Sequence, residues 1–257
     1  MYSLGMEGKR GVVFGVANEF SIAWAIARTL HDAGSSLVVT YQNERLGERV
    51  AKLTGSMDRM SLLECDVSSD ESLDSAFEQI KAELGGLDFV IHSIAYANRE
   101  DLKGDFSKIA RDSFLMSLDI SAYSLIAVTR YSAPLMNDNG SVVTMTFQAS
   151  ERVFPGYNVM GTAKAALENE VRQLAEEYGK QGIRINAISA GPLETLASRG
   201  IGGFPDMRKI HAEKAPLKRN ITHEEVGKVA LFLCSDLSSG ITGTIIPVDA
   251  GYHIMAV

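Results

Sequence analysis

Residues 9–41 read KRGVVFGVANEFSIAWAIARTLHDAGSSLVVTY. The stretch opens with a short apolar run, Lys9 to Val16, that stops at Gly15, and it closes with a second run, Ser36 to Tyr41. Between them apolar residues recur at helical spacing from Ser21, whose hydroxyl suits an N-cap, to Gly34, a residue type that ends helices without steric cost. Strand, turn, helix and strand within about thirty residues make a βαβ unit. Parallel strands joined in this way cross over right-handed in nearly all proteins.

The alternation continues outward from this unit. Helical patterns over 44–53 and 70–84 flank a strand at 60–65, and a further strand lies at 87–93. A long helical pattern spans 106–136, followed by a β-branched strand at 141–146 and a helix from about 158. After it come a strand at 183–189, a Gly/Pro-rich segment at 190–205, a helix at 222–234 and a last strand at 244–248. The strands are apolar runs without polar alternation, as a parallel sheet covered on both faces requires. The reading is an α/β, three-layer, doubly wound parallel sheet of the Rossmann type, forming a single domain over 1–257. No internal repeat and no linker interrupts it.

A chain of 257 residues is close to the largest that one core supports. With 46% hydrophobic and 22% charged residues, it has the balance of a globular protein and not that of a disordered one. The net charge of −7 argues against nucleic acid and against anionic membrane surfaces, both of which attract basic proteins. The N-terminal MYSLGMEGKR lacks the apolar core of a signal peptide, and no run reaches the roughly 18–20 apolar residues of a membrane span. The expected compartment is cytoplasmic. Cys65 and Cys234 show no ligand-like spacing to histidine, so both read as buried thiols and no metal site is expected.

Ligands of such a sheet sit at the carboxyl ends of its strands, so the residues there are the candidates. Gly15 supplies the tight turn after the first strand, and Ser21 and Ala23 are small enough for a pyrophosphate to reach a helix N-terminus. The Ser21 hydroxyl can bond phosphate or simply cap its helix, and the usual three glycines of a dinucleotide fingerprint are absent. Gln42, after the second strand, can bond a ribose hydroxyl. Neither the acid common in NAD sites nor a basic cluster suited to NADP stands at that strand end, and the balance leans to NADH over NADPH. Asp66 after the third strand can accept from an adenine amino group or serve as a turn residue. Ser93 belongs to a small-residue run that leaves a cofactor room to pass, and its neighbour His92 reads as structural. The sixth strand ends in a Gly191-Pro192 break that brings backbone and the Thr195 hydroxyl toward the cofactor.

The chemistry centres on residues 141–178, SVVTMTFQASERVFPGYNVMGTAKAALENEVRQLAEEY. Tyr157 stands where the helix begins, and Lys164 follows almost two turns later, so both side chains address one ligand. A nearby cation lowers a tyrosine's pKa, and the phenol then donates a hydrogen bond or proton to a developing oxyanion.

Six residues separate Tyr157 from Lys164, where most short-chain dehydrogenases have three. With this spacing the chain resembles the enoyl-acyl-carrier-protein reductases, a divergent branch of the short-chain dehydrogenase/reductase superfamily. The blocks GVANEFSIAWAIA, TYQNE, CDV, HSIA, YNVMGTAKAALE, RINAISAGP, FLCSDLSSGITG and VDAGY carry the resemblance in order, over residues 7–252. It implies NADH as cofactor and a trans-2-enoyl thioester on an acyl carrier protein as substrate, with hydride delivered to the β-carbon. Tyr157 and a ribose hydroxyl would hold the enolate oxygen, and Lys164 the ribose. The resemblance places Gly15, Ser21, Ile22, Gln42, Asp66, Val67, Ser93, Ile94, Ala95, Lys164, Leu193 and Thr195 around the cofactor. Ala97, Phe147, Tyr157, Met160, Ile201 and Phe204 would surround the acyl chain.

Three positions depart from that family's pattern. Phe147 stands where a second Tyr is common, Ala95 where Gly is common, and Glu194 where a basic residue is frequent. The extra methyl of Ala95 is expected to narrow the site toward flat phenolic inhibitors. Beyond Thr195, ASRGIGGFPDM reads as a mobile loop covering the substrate, with a loop-and-helix lid over 195–215. Residues 199–219 hold six Lys/Arg against two acids, a local +4 that would attract an acidic carrier protein. Gly161, Ala163, Ala165 and Ala166 suit close packing between subunits, and a homotetramer is expected. Two other readings stay open at this point. One is another short-chain dehydrogenase acting on a ketone or alcohol, which the Tyr-to-Lys spacing disfavours. The other is a catalytically impaired NAD-binding homologue, suggested by Phe147 and Ala95.

Overall fold

A computed structural model describes residues 4–55 and 57–256. Its strands are β1 (Arg10–Phe14), β2 (Ser36–Tyr41), β3 (Met60–Glu64), β4 (Leu87–His92), β5 (Met136–Thr146), β6 (Arg184–Ala190) and β7 (Ile245–Val248). They form one sheet in the order β3-β2-β1-β4-β5-β6-β7, every neighbouring pair parallel. The helices are α1 (Ile22–Asp32), α2 (Glu44–Thr54), α3 (Asp70–Leu84), α4 (Arg99–Lys103), α5 (Arg111–Leu118), α6 (Ser124–Ser132), α7 (Val159–Gly179), α8 (Phe204–Lys214) and α9 (His223–Cys234).

Strand side chains alternate between two cores, one on each face of the sheet. On one face Val13, Ile91, Val143 and Ile188 meet Trp24, Ile26 and Leu30 of α1, Val50 of α2 and Val226, Ala230 and Leu233 of α9. On the other, Val12, Phe14, Val90, Val142 and Ile185 meet Leu73, Phe77 and Ile80 of α3, Leu125 and Val128 of α6, and Leu167, Val171 and Leu174 of α7. This is the three-layer doubly wound arrangement expected from the sequence. Among the described residues no helix is long and apolar enough to cross a membrane.

The expected helix over 106–136 is in fact a broken series. A 3₁₀ turn (Phe106–Lys108), α5, a π turn (Asp119–Tyr123), α6 and a second 3₁₀ turn (Ala133–Leu135) succeed one another. Serine hydroxyls compete here with the backbone: Ser117 donates to Ser113 O at 2.9 Å and Ser124 to Ile120 O at 2.7 Å. Ser121 accepts from Tyr96 N at 2.8 Å, which ties the π turn to the segment after β4. Strand β5 also starts at Met136, before the expected Ser141, with a register shift between Leu87 and Phe89.

The Gly/Pro-rich segment after β6 holds more regular structure than its composition suggests. A 3₁₀ turn at Ser198–Gly200 leads to Gly203 at φ +70°, and α8 then runs from Phe204 to Lys214 with Pro205 in its first turn, where a missing N–H costs nothing. Of the small residues on α7, Ala163 is fully buried and Gly161 faces the Ala149 carbonyl, where a Cβ would stand 2.8 Å away. Those two serve packing within the subunit, and the expectation that they face a partner is corrected.

Candidate active site

The loops after β1 through β6 converge on one cleft, where the strand order turns about β1 and β4. All eighteen residues singled out from the sequence line it. Gln42, Asp66 and Val67 stand at the far end, beyond β2 and β3, and Gly15, Ser21 and Ile22 follow β1. Ser93, Ile94, Ala95 and Ala97 follow β4, Phe147 follows β5, Leu193 and Thr195 follow β6, Ile201 lies just before α8 and Phe204 begins it. Tyr157, Met160 and Lys164 enter from the start of α7.

The local geometry suits a dinucleotide. Gly15 has φ +96°, and a Cβ there would lie 2.0 Å from Ser93 O, so only glycine lets the ends of β1 and β4 close on each other. Ser21 is the N-cap residue of α1 but does not cap it through its side chain; its Oγ accepts from Ala17 N and Asn18 N, each at 3.1 Å. The first N–H groups of α1 are thereby left to an anion, at the positive end of the helix dipole. Beyond β3, Asp66 does serve as a turn residue, accepting from Ser68 N and Ser68 Oγ through Oδ1 at 3.0 and 2.7 Å. Thr195 Oγ1 accepts from Ser198 N at 3.0 Å, which leaves its own proton to donate into the cleft. A Gly15→Ala variant is expected to lose dinucleotide binding in a titration and about 1–3 kcal/mol of stability in a urea melt.

Lys164 is 4% exposed, and its Nζ donates to Met145 O at 2.8 Å. Two further N–H bonds remain to donate into the cleft. Burial pulls the Lys164 pKa down to about 8 against the attraction of Glu168 and Glu170, and burial pushes Glu170 up to about 7. Glu168 is itself held by Thr146 Oγ1 at 2.7 Å. His92 is structural as expected: fully buried between Thr144 Oγ1 and Ser124 Oγ, both at 2.8 Å, it is kept neutral by burial and by the charge of Lys164, its pKa near 3. Both cysteines are buried thiols, with burial raising Cys65 to about 11 and Cys234 to about 12. Among the described residues no three His, Cys, Asp or Glu side chains gather to hold a metal ion.

The expected lowering of the Tyr157 pKa is not what the geometry produces. Burial is its one resolved cause and raises the phenol above its ordinary range. No contribution from the Lys164 ammonium offsets that cost. The hydroxyl therefore stays protonated and acts as a neutral donor, and among the described residues it makes no hydrogen bond within the chain. Its ring rests against Phe147, centroids 5.1 Å apart, and Phe147 rests against Phe154 at 4.8 Å. The Phe147 position thus supplies packing for Tyr157 and no competing hydroxyl.

Sequence reasoning missed part of the apolar wall. Leu102 of α4, Ile120 of the π turn and Met207 of α8 also line the cleft, and Leu102 packs with Met160, Ala163 and Tyr157. Their elements, a five-residue helix and an irregular turn, leave little periodic signal. The basic stretch at 199–219 is also less charged in space than in sequence, because Arg208 pairs with Glu194 and Arg219 with Glu225. Lys209 and Lys214 on α8 remain exposed.

The family model described as Enoyl-(Acyl carrier protein) reductase matches residues 15–253. The enoyl-acyl-carrier-protein reductase (NADH) FabI of Bacillus cereus is 50% identical over 252 residues, 97% of this chain and 98% of that protein. A crystal structure of the B. cereus enoyl-acyl carrier protein reductase with NADP+ and indole naphthyridinone superimposes with a TM-score of 0.96 at 49% identity, covering 100% of both chains. The enoyl-acyl-carrier-protein reductase (NADH) of Aquifex aeolicus VF5 gives a TM-score of 0.95 at 46% identity, over 98% of this chain and 99% of that one.

Proposed function

The chain belongs to the enoyl-acyl-carrier-protein reductase family, and from that premise we infer how its residues do the work. It is an NADH-dependent oxidoreductase that reduces the carbon–carbon double bond of trans-2-enoyl thioesters borne by acyl carrier protein, a step of fatty-acid biosynthesis. The reading of a dehydrogenase for ketones or alcohols is set aside by this membership.

Gly15, Ser21 and Ile22 would hold the pyrophosphate, Gln42, Asp66 and Val67 the adenosine, and Ser93, Ile94, Ala95, Leu193 and Thr195 the nicotinamide half. When bound, NADH supplies the hydride. Tyr157 donates a hydrogen bond through its O–H to the thioester oxygen as negative charge gathers there, and Lys164 fixes the ribose with its two uncommitted N–H bonds. Met160, Ile201, Phe204, Ala97 and Phe147 line the acyl side, from which they exclude water. The single observation that carries this assignment is the pairing, in one cleft, of a phenol without an internal partner and a buried ammonium with donors to spare. A screen of NADH consumption tests it: turnover is expected with a trans-2-enoyl thioester and not with a ketone or the saturated thioester. Turnover with the ketone alone would refute it.

The chain works as one dinucleotide-binding and catalytic domain, in the cytoplasm, with residues 195–215 as the cover of the substrate. The carrier protein docks on the exposed basic residues of α8. Lys209→Glu is expected to raise the KM for carrier-bound substrate about tenfold at low salt and leave that for a small soluble thioester unchanged. Equal shifts for both substrates would count against docking there. The assembly is a homotetramer built partly on α7 and on the exposed Leu115, Met116 and Tyr123 of α5 and the π turn. Light scattering at micromolar concentration is expected to give four times the 27.8 kDa chain mass, and a monomer mass would contradict it.

A further inference from the structure

Tyr157 is carried by a turn that the chain would not adopt unaided. Gly156 has φ +80°, and Asn158, on the other side of Tyr157, sits at φ 37° and ψ −120°. Left-handed residues ordinarily have positive ψ, so Asn158 lies outside that well as well as outside the right-handed ones. Conformations of this kind persist where the surroundings over-determine them, and they collect at sites of function.

The surroundings here can be named. Asn158 Nδ2 donates to the carbonyl oxygen of Asp101 at 3.0 Å and to that of Gly104 at 2.8 Å. Both acceptors belong to α4 or the residue that ends it, where the last carbonyls of a short helix have no partner further along the helix. Two acceptors meeting one nitrogen require a side-chain NH2 group, which a carboxylate cannot provide. Helix α4 in turn sets Leu102 against Met160, Ala163 and the Tyr157 ring. On the opposite side Gly156 lies so close to the lid that a Cβ on it would stand 2.8 Å from Gly202 O. The turn is therefore clasped between the acyl-side wall and the lid, with the phenol at its centre.

We propose that Asn158 is a positioning residue for enoyl reduction, whose two bonds to the Asp101 and Gly104 carbonyls aim the Tyr157 hydroxyl at the substrate oxygen. The proposal rests on the reductase reading. It makes the acyl-side wall and the catalytic phenol a single unit: α4 cannot move without moving Tyr157. Displacements near 1 Å at a reacting group cost on the order of 10²-fold in rate.

The test compares kcat, KM and NADH affinity in the wild type, Asn158→Asp and Asn158→Gly, and repeats both substitutions in a Tyr157→Phe background. Aspartate keeps the size but turns two donors into acceptors facing two carbonyls. Glycine takes φ 37° freely but has no clasp, so it remains decisive should the aspartate variant fold poorly. Both are expected to lower kcat on the order of 10²-fold with NADH affinity within about twofold of wild type. In the Tyr157→Phe background the further loss is expected to be no more than about twofold, because Asn158 acts through the missing hydroxyl. Wild-type kcat in Asn158→Gly, or an equal loss in both backgrounds, would overturn the proposal while the reductase reading stands. A wild type that binds NADH but leaves the enoyl thioester unreduced would overturn that reading, and the proposal with it.

Discussion

Tyr157→Phe is expected to lower kcat for enoyl thioester reduction by about 10²–10³-fold, the cost of deleting one oxyanion donor. The substitution removes a single oxygen that bonds to nothing else described in the chain, and it leaves the ring packed against Phe147 at 5.1 Å. No cavity opens and no buried partner is orphaned, so the melting temperature and the NADH affinity are expected to hold. The loss should also be independent of pH across the neutral range, because burial keeps the phenol protonated well above it. Steady-state kinetics beside a fluorescence titration with NADH separates these effects. A kcat within threefold of wild type would show that the oxyanion is met by another donor.

Lys164→Met is expected to lower kcat/KM by on the order of 10²–10³-fold as well, but through the cofactor: NADH affinity falls together with kcat. The Nζ of Lys164 is the buried cation at the point where ribose hydroxyls would arrive, and methionine keeps its length and apolar stem while removing every donor. The pH dependence follows from the same burial. Lys164 is charged below about 8 and neutral above, so kcat/KM of the wild type is expected to decline as pH rises through that value. The stability effect has the opposite sign. The unfolded chain keeps this lysine protonated up to its ordinary value of 10.5, so between about 8 and 10.5 it binds more protons than the folded chain. Burial of the charge is thus a cost fully present below about 8 and relieved as pH climbs, and the loss of activity there is not unfolding. Lys164→Met should flatten the alkaline limb of the rate profile; an unchanged limb would assign it to a different group.

The sheet was legible because its strands are buried on both faces, which writes them as unbroken apolar runs such as Val12 to Phe14 and Phe89 to Ile91. The cleft was legible for a topological reason: a parallel sheet sends every β-to-α loop to one edge, so Gly15, Ser93 and Thr195 come together however far apart they stand in the chain. What stayed hidden depends on partners distant in sequence. Glu194 and Arg208 neutralise each other across fourteen residues, which lowers a charge that counting alone had raised. The serines that break the helix after Arg111 look like ordinary helix-surface residues until their hydroxyls are seen back-bonding. Burial reversed the expected direction for Tyr157, and burial of a residue in a turn has no periodic signature. Asn158 likewise carries no local pattern; its role appears only when α4 is seen beside it.

The central claim is that this chain delivers hydride from NADH to carbon while Tyr157 meets the substrate oxygen and Lys164 holds the cofactor. Its most direct test is the fate of deuterium from NADH labelled at the transferring position, followed by mass spectrometry and NMR of the product of a trans-2-enoyl thioester. One deuterium is expected at the β-carbon of a saturated thioester, formed by the wild type and nearly absent with Tyr157→Phe. Deuterium on the carbonyl carbon, or an enoyl thioester left intact while NADH binds, would contradict it.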